Sequence, residues 1–315
     1  MAYGYNGVGI EWTDKKISMF KDLVMGGKGN SEIADILSRE FGENITVKAV
    51  DTAKHRYQIL SQCIEELPDI KIYEANTLPM DDYMISCDDH SPYFSTIYEN
   101  KLLMIAEFFG IKKHIKVGDL VNQDYASHWT QKEGEERLEL DEEIAKSEPL
   151  FKALDYFDQI YLVRGNHEDR INRITDSRIQ AGHILKLFGQ SIYDKFIYTP
   201  YDKMFIGDDW MVVHPRSYSQ ISGSVAVRLA EKFHRNILSA HGHFVSLRYD
   251  RSGKYMAMDL GGLFDKRKIS YRNLSTTSHP EWTNGFGMLR NGHFWHFHEG
   301  TDWNFWERQM MRKLG

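Results

Sequence analysis

The sequence predicts an α/β protein, a sandwich or sheet of short strands alternating with helices, preceded by a small three-helix module. Three observations carry this. From residue 83 onward, short apolar runs alternate with stretches of helical spacing. Before residue 66, three segments place apolar residues on one helical face and are separated by glycines. The composition is ordinary for a globular chain: 315 residues, 42% hydrophobic and 27% charged, with 24 Gly and 7 Pro. That excludes a collagen-like, low-complexity or mostly disordered protein.

The first helix is expected from Thr13 as cap, with Ile17, Phe20, Leu23 and Val24 on one face and Gly26, Gly27 and Gly29 stopping it. The second begins at Asn30 or Ser31 as cap, buries Ile33, Ile36, Leu37 and Phe41, and ends at Gly42. The third is capped by Thr46 and continues through Val47, Val50, Tyr57 and Leu60. Helix, turn, helix and a longer helix resembles a helix-turn-helix module of the Myb-like or resolvase-like kind. Lys48, Lys54, His55 and Arg56 make the third helix locally basic, and they are the candidate nucleic-acid contacts. The alternative is a packing or oligomerisation bundle. Residues 1–70 carry a net −3, which argues against strong nonspecific phosphate binding. The expected organisation is a helical domain over 1–65, a linker with a first edge segment over 66–82, and a catalytic domain over 83–315.

Within 83–315, strands are expected at Tyr83–Cys87, His114–Val117, Ile160–Arg164, Met211–Val213 and Asn236–Ala240. Helices are expected at Ile97–Phe109, Ile171–Phe188 and Ser224–Arg235. Strands Val245–Tyr249, Tyr255–Asp259, Phe286–Arg290 and His293–His298 follow, the last two joined by an Asn291-Gly292 hairpin turn. The acidic run Glu133–Glu148 reads as a solvated helix face.

Net charge is −6 overall, with −7 over residues 71–240 and +4 over 241–315. Two cysteines, Cys63 and Cys87, exclude a disulfide framework and a four-cysteine zinc site. The amino terminus lacks the pattern of a secretory signal, and no apolar run reaches about 18 residues. A cytoplasmic protein without a membrane partner is the expectation.

The chemistry-bearing residues stand at strand exits. Asp88-Asp89-His90 follows the first strand, Gly118-Asp119 the second and Gly165-Asn166-His167-Glu168 the third. His214 follows the fourth, and His241-Gly242-His243 the fifth. Loops at the carboxyl edge of a sheet build active sites. Carboxylates and imidazoles bind divalent metals. Two ions about 3.5–4 Å apart can clamp a phosphate and activate a water. Five such exits in order outweigh the bland reading of each residue alone.

The order Asp-x-His, Gly-Asp, Gly-Asn-His, His, His-x-His resembles the calcineurin-like binuclear metallophosphoesterase superfamily, over residues 83 to about 298. The surrounding text (DDHSPYFS, VGDLVNQD, VRGNHEDR) resembles its bacteriophage branch, which would place the protein in a bacterial host cytoplasm. The resemblance implies a four-layer α/β fold, a two-sheet β-sandwich flanked by helices. It implies that Asp88, His90, Asp119 and His243 hold a first metal and that Asp119 bridges. Asn166, His214 and His241 complete a second, and His167 serves as general acid or leaving-group donor. The implied cofactors are two divalent ions, manganese foremost, with Fe, Zn, Ni, Co or Mg as alternatives.

Three departures stand out. Ala240 precedes His241 where the family writes Gly, and the methyl is expected to be tolerated. Pro215 follows His214, removing a backbone donor. Asn122 takes the place of an Asp that orients the catalytic His in the protein-phosphatase branch, which puts the tuning of His167 in question and argues against a Ser/Thr protein phosphatase. Arg170 is a candidate phosphate contact, with a helix-start ion pair to Glu168 or Asp169 as its alternative.

His293, His296 and His298 read as hairpin surface or sandwich packing. Trp295, Trp303, Phe305 and Trp306 read as packing, and Cys87 as a buried strand residue. Three functions are in view: a nuclease or nucleic-acid phosphatase, with DNA a partner of the helical module; a small-molecule or cyclic-nucleotide phosphoesterase; and a DNA-binding regulator with a degenerate esterase domain.

Overall fold

The computed structural model describes residues 10–57, 71, 73–188, 190–274 and 281–314. The chain divides into two compact units, residues 1–73 and 74–315. The first contains α1 (Asp14–Met25), α2 (Asn30–Phe41) and α3 (Val47–Arg56). Thr13 and Thr46 cap α1 and α3 by accepting from the backbone of Lys16 and Ala49, as their sequence positions suggest. The cap of α2 is Gly29, not Asn30 or Ser31; the Asn30 amide instead reaches Asp51 at 3.5 Å. Gly42 closes α2 at φ 65°, the left-handed turn that a residue without Cβ adopts readily. Phe20, Val24, Ile33, Leu37 and Val50 form the core of this unit. Leu60 and residues 66–70 of the expected linker lie outside the described residues.

The second unit opens with β1 (Thr77–Leu78), β2 (Tyr83–Ser86), α4 (Thr96–Phe109), β3 (Lys113–Val117), α5 (Leu140–Leu154) and β4 (Gln159–Val163). It continues with α6 (Glu168–Ile174), α7 (Ala181–Leu185), α8 (Gln190–Tyr193), β5 (Phe196–Tyr198), β6 (Lys203–Ile206) and β7 (Trp210–Val213). Then come α9 (Ser224–Phe233), β8 (Asn236–Ser239), β9 (Val245–Tyr249), β10 (Met256–Leu260) and α10 (Ser270–Asn273). The hairpin β11 (Gly285–Arg290) and β12 (His293–His298) and the helix α11 (Trp303–Leu314) end it.

The strands form two six-stranded sheets, in the orders β1-β6-β7-β8-β10-β9 and β12-β11-β2-β3-β4-β5. Strand alternation explains the layers. Tyr83, Ile85, Tyr161 and Val163 point from one sheet to meet Trp210, Val212 and Leu238 from the other. Met84, Ile160 and Leu162 point the opposite way, onto Leu102 and Ile105 of α4 and Leu150 and Leu154 of α5. Met211, Val213 and Ile237 turn outward onto Ala226 and Ala230 of α9. The protein is therefore α/β, a four-layer sandwich of helices, sheet, sheet and helices. Strands buried on both faces carry the continuous apolar runs seen in the sequence.

Some elements differ from expectation. The helix expected over Ile171–Phe188 is two short helices, because Asp176 and Ser177 take φ of 51° and 59° and interrupt it. The acidic run Glu133–Glu148 is helical only from Leu140, and Glu143 is fully buried rather than solvated. β5 and β6 have no counterpart in the sequence reading. Phe294, His296 and His298 stack along one face of β12, and Phe297 is buried on the other, so the histidine tract is hairpin packing as expected. Trp303 and Trp306 pack against the core, whereas Trp295 and Phe305, also expected to pack, are exposed. Among the described residues, no helix is long and apolar enough to cross a membrane.

Candidate metal centre

The parallel neighbours β2, β3 and β4 end side by side, and so do β7 and β8 in the facing sheet. All five loops singled out in the sequence therefore meet at one end of the sandwich. Among the described residues their side chains form three overlapping groups whose ligand atoms lie within 4.8 Å of one another: Asp88, His90 and His243; His90, Asp119 and His167; Asp119, His214 and His241.

The distances suit metal bonds. His243 Nε2 lies 3.1 Å from Asp88 Oδ1 and 3.1 Å from His90 Nε2. His214 Nε2 lies 3.0 Å from Asn166 Oδ1 and 3.5 Å from Asp119 Oδ2. Bonds of about 2.0–2.2 Å at ordinary angles put neighbouring ligand atoms about 3.0–3.5 Å apart.

The hydrogen bonding supports the same fit. Asn122 Nδ2 donates to Asp124 Oδ1, which leaves Asn122 Oδ1 as an acceptor toward His90 Nδ1 at 3.0 Å. The His90 proton thus sits on Nδ1, and its Nε2 lone pair faces the Nε2 of His243. Likewise His214 Nδ1 donates to the Val117 carbonyl at 2.9 Å, which aims its Nε2 at two oxygen acceptors. At each point an imidazole nitrogen faces a carboxylate or amide oxygen, an arrangement that a divalent cation can satisfy in place of a shared proton. Burial and the neighbouring His243 push the His90 pKa down to about 3, and burial holds His241 at about 4, so both present neutral imidazoles. Burial also opposes protonation of His214, yet the Asp119 and Asp88 carboxylates outweigh it and raise its pKa. That corner draws positive charge.

The backbone is strained where the ligands sit. Asp88, His90, Asp119, His241 and His243 have φ of 53°, 48°, 52°, 71° and 60°. Such conformations cost about 1–3 kcal/mol each and collect at functional sites. Two glycines permit the close approach of the loops. A Cβ on Gly118 would stand 2.5 Å from His214 Nδ1, and one on Gly165 would stand 2.2 Å from Asp119 Oδ1. Ala240 has no such conflict; its methyl packs in the inter-sheet core, as expected.

Three supporting groups escaped the sequence reading. Glu168 is buried, and its carboxylate accepts from the backbone of Asp119, Leu120 and Gly165 at 2.8, 2.9 and 2.8 Å. It ties the Gly-Asp loop to the Gly-Asn-His loop. Glu143 accepts from the backbone of Gln123 and Asp124, anchoring the segment after Asn122 to α5. Asp89, between two ligands, turns inward to the fully buried Lys116 at 2.6 Å, which also meets Glu99 at 3.4 Å. A carboxylate directly after Gly-Asn-His was the one available signal for Glu168.

Two residues have partners that the sequence did not indicate. The Asn122 side chain orients His90; His167 Nδ1 instead donates to the Asn122 backbone carbonyl at 2.8 Å, so the missing carboxylate at this position is not what His167 sees. Arg170 donates to the Asn122 carbonyl and to His167 Nε2 at 2.8 and 2.9 Å, while Asp169 faces Arg164 and Arg216. Burial and the Arg170 charge hold His167 neutral, well below the usual histidine range. Lys48, Lys54, His55 and Arg56 lie on α3 in the other unit, all but Lys54 exposed. Above the ligands opens a cleft of about 890 Å³, lined by His90, Asp119, His167, Arg170, Trp129, Tyr218 and Trp282 among others.

Fold and site define an α/β sandwich protein with a buried histidine–carboxylate cluster able to hold metal ions. No protein-family model matches the sequence, and no curated protein matches it. Among solved structures, the chain is similar to YfcE, a phosphoesterase from E. coli, at 13% identity over 67% of this chain and 88% of that one, with a TM-score of 0.32. It is similar to the Pseudomonas putida nuclease MPE at 13% identity over 68% and 87%, with a TM-score of 0.30. It is also similar to Vps29 of Chaetomium thermophilum at 11% identity over 70% and 94%, with a TM-score of 0.35.

Proposed function

We propose that this chain is a metal-dependent phosphoesterase that hydrolyses phosphodiester or phosphomonoester bonds, with nucleic acid as its substrate. The observation that carries the reading is the convergence of ligand atoms from five strand exits in three overlapping groups that share His90 and Asp119. Asp88, His90, Asp119 and His243 would hold one ion, and Asp119, Asn166, His214 and His241 the other. Asp119 serves both, and His90, whose ring also lies near His167, has its ring fixed by Asn122. Two divalent ions there would supply an activated water and neutralise phosphate charge.

The chain's own residues do the remaining work. Glu168 sets the position of Asp119 through the backbone bonds described above. Arg170, buried and lining the cleft, places a guanidinium beside His167, where a phosphate oxygen or a departing oxygen would lie. His167 relays a proton through Nε2: Nε2 takes the proton that the attacking water gives up and passes it to the leaving oxygen, so the water's O–H breaks as the leaving group's O–H forms, while Nδ1–H stays fixed on the Asn122 carbonyl. The three-helix unit with its basic α3 supports nucleic acid as the substrate.

The test is metal analysis of the purified chain joined to a hydrolysis panel with Mn²⁺: single-stranded DNA, RNA, cyclic nucleotides, an aryl phosphodiester and an aryl monoester. Two ions per chain and hydrolysis of at least one phosphoester are expected. Absence of both refutes the reading. Cleavage confined to cyclic nucleotides would reassign the substrate to small molecules.

A further inference from the structure

The cleft above the ligands is larger than a phosphate needs. At about 890 Å³ it stands near the top of the range of about 300–1,000 Å³ common for ligand sites. Much of its wall is aromatic. Tyr218 lies edge-on to His241 at 6.3 Å between ring centroids, beside one ligand group. Trp282 lies edge-on to His243 at 4.3 Å, beside the other. Trp129 stands on the rim, 67% exposed. An indole left in water forgoes the burial that would favour folding, so its position calls for a reason.

The loop is built to hold it there. Arg137 donates to the Trp129 carbonyl at 2.8 Å and pairs with Glu135 at 3.3 Å. Glu135 in turn accepts from the Lys132 backbone at 2.8 Å and from Ser270 at 3.3 Å. The His128 ring sits 4.6 Å from the Trp129 ring. These bonds hold the backbone that carries the indole at the mouth of the site.

Charge points the same way. Among the described residues that line the cleft, Arg137 and Arg272 are paired with Glu135 and Glu281. Two of the cations on this wall are thus held by carboxylates of the same wall, which leaves the exposed aromatic faces as the contact that an unpaired base can make and a base inside a duplex cannot.

We infer that Trp129 and Tyr218 are base-stacking platforms and that the cleft takes a short single-stranded nucleic-acid segment, its phosphate over the ligand groups. This rests on the phosphoesterase reading for the place of the phosphate, and its test separates stacking from chemistry. Fluorescein-labelled octathymidylate, an abasic octamer with the same phosphates, and an eight-base-pair duplex are titrated with the full chain in chelator, so that nothing is cleaved, and anisotropy is read. The wild type binds octathymidylate more tightly than either control. Trp129→Ala and Tyr218→Ala each raise its Kd by about 5- to 150-fold and leave the abasic octamer's Kd alone. Trp129→Phe restores most of the affinity. Trp129→Leu, which keeps bulk without a π face, does not. An unchanged Tm for the Trp129 variants shows that the fold is intact. The salt dependence is shallow, with a logarithmic slope no steeper than about −1 to −2.

Equal binding of octathymidylate and the abasic octamer by the wild type, wild-type affinity in Trp129→Ala, or duplex binding as tight as single-strand binding would each overturn the inference. Base-dependent binding by a protein that hydrolyses no phosphoester with Mn²⁺ would refute the phosphoesterase reading and leave the platforms standing. Hydrolysis without base discrimination would refute the platforms alone.

Discussion

Glu168 offers the sharpest test of how the centre is assembled. Oε2 accepts from the backbone of Asp119 and Gly165, and Oε1 from Leu120, all in a buried setting. Glu168→Ala strands three backbone donors. Each costs about 1–3 kcal/mol, and partial relief by entering water brings the total to about 3–6 kcal/mol. Glu168→Gln can keep the amide oxygen at the Oε2 position and so retain two of the bonds; its NH₂ then meets the Leu120 N–H donor to donor. The expected cost is about 1–3 kcal/mol. For a unit the size of residues 74–315, one kcal/mol moves Tm by about 2–4 °C. The alanine variant should therefore melt roughly 6–24 °C lower and the glutamine variant roughly 2–12 °C lower by circular dichroism. Because the clamp sets Asp119, metal affinity should fall about 10–100-fold in titrations of both. An alanine variant melting within about 2 °C of the wild type with unchanged metal affinity would refute the clamp.

Other outcomes follow from the same geometry. Asp119→Ala should abolish hydrolysis and lower metal content, since its carboxylate belongs to two of the ligand groups; full activity would sink the assignment. His167→Ala should cut turnover by roughly 10²–10⁴-fold with both ions retained by metal analysis; loss of metal would show that His167 is a ligand instead. Burial pushes Glu143 up to about 8, outweighing its backbone hydrogen bonds, from the ordinary 4.5 that applies unfolded. Between those values the folded chain holds a proton that the unfolded chain lacks, so this group's contribution is full below about 4.5 and is lost as pH rises through about 8. Denaturation curves should show wild type losing stability relative to Glu143→Gln over that window, by at most about 1.4 kcal/mol per pH unit. A pH-independent difference would contradict it.

Much of the site was legible because its signals are local. An apolar run followed at once by Asp, His or Asn declares both the strand and what it delivers, and the five loops needed only the facing ends of two sheets to meet. The supporting groups were not legible because their partners are remote. Glu168 acts on residues 48 and 49 positions away, and Asn122 on His90, 32 away. Arg170 shows the limit of local reading: Glu168 and Asp169 are its chain neighbours, yet its guanidinium turns to the Asn122 carbonyl. Fold class was carried by alternating apolar runs. β5 has only three residues, none of them fully buried, and gave no run to read. Helical spacing across Ile171–Phe188 concealed a break, since periodicity records which face is buried and not whether the chain stays helical between.

Each proposed ion would also be a cross-link. His243 and Asp88 lie 155 residues apart, on loops leaving different sheets, and His214 and Asn166 are 48 apart across the same divide. An ion that joins such pairs closes a long loop of chain, and that closure must be lost before the sheets can part. Occupancy would thus set more than reactivity. By mass action, the concentration of free metal would act as a dial on how readily this end of the sandwich opens, with the two sheets as the jaws and the ions as the rivets between them.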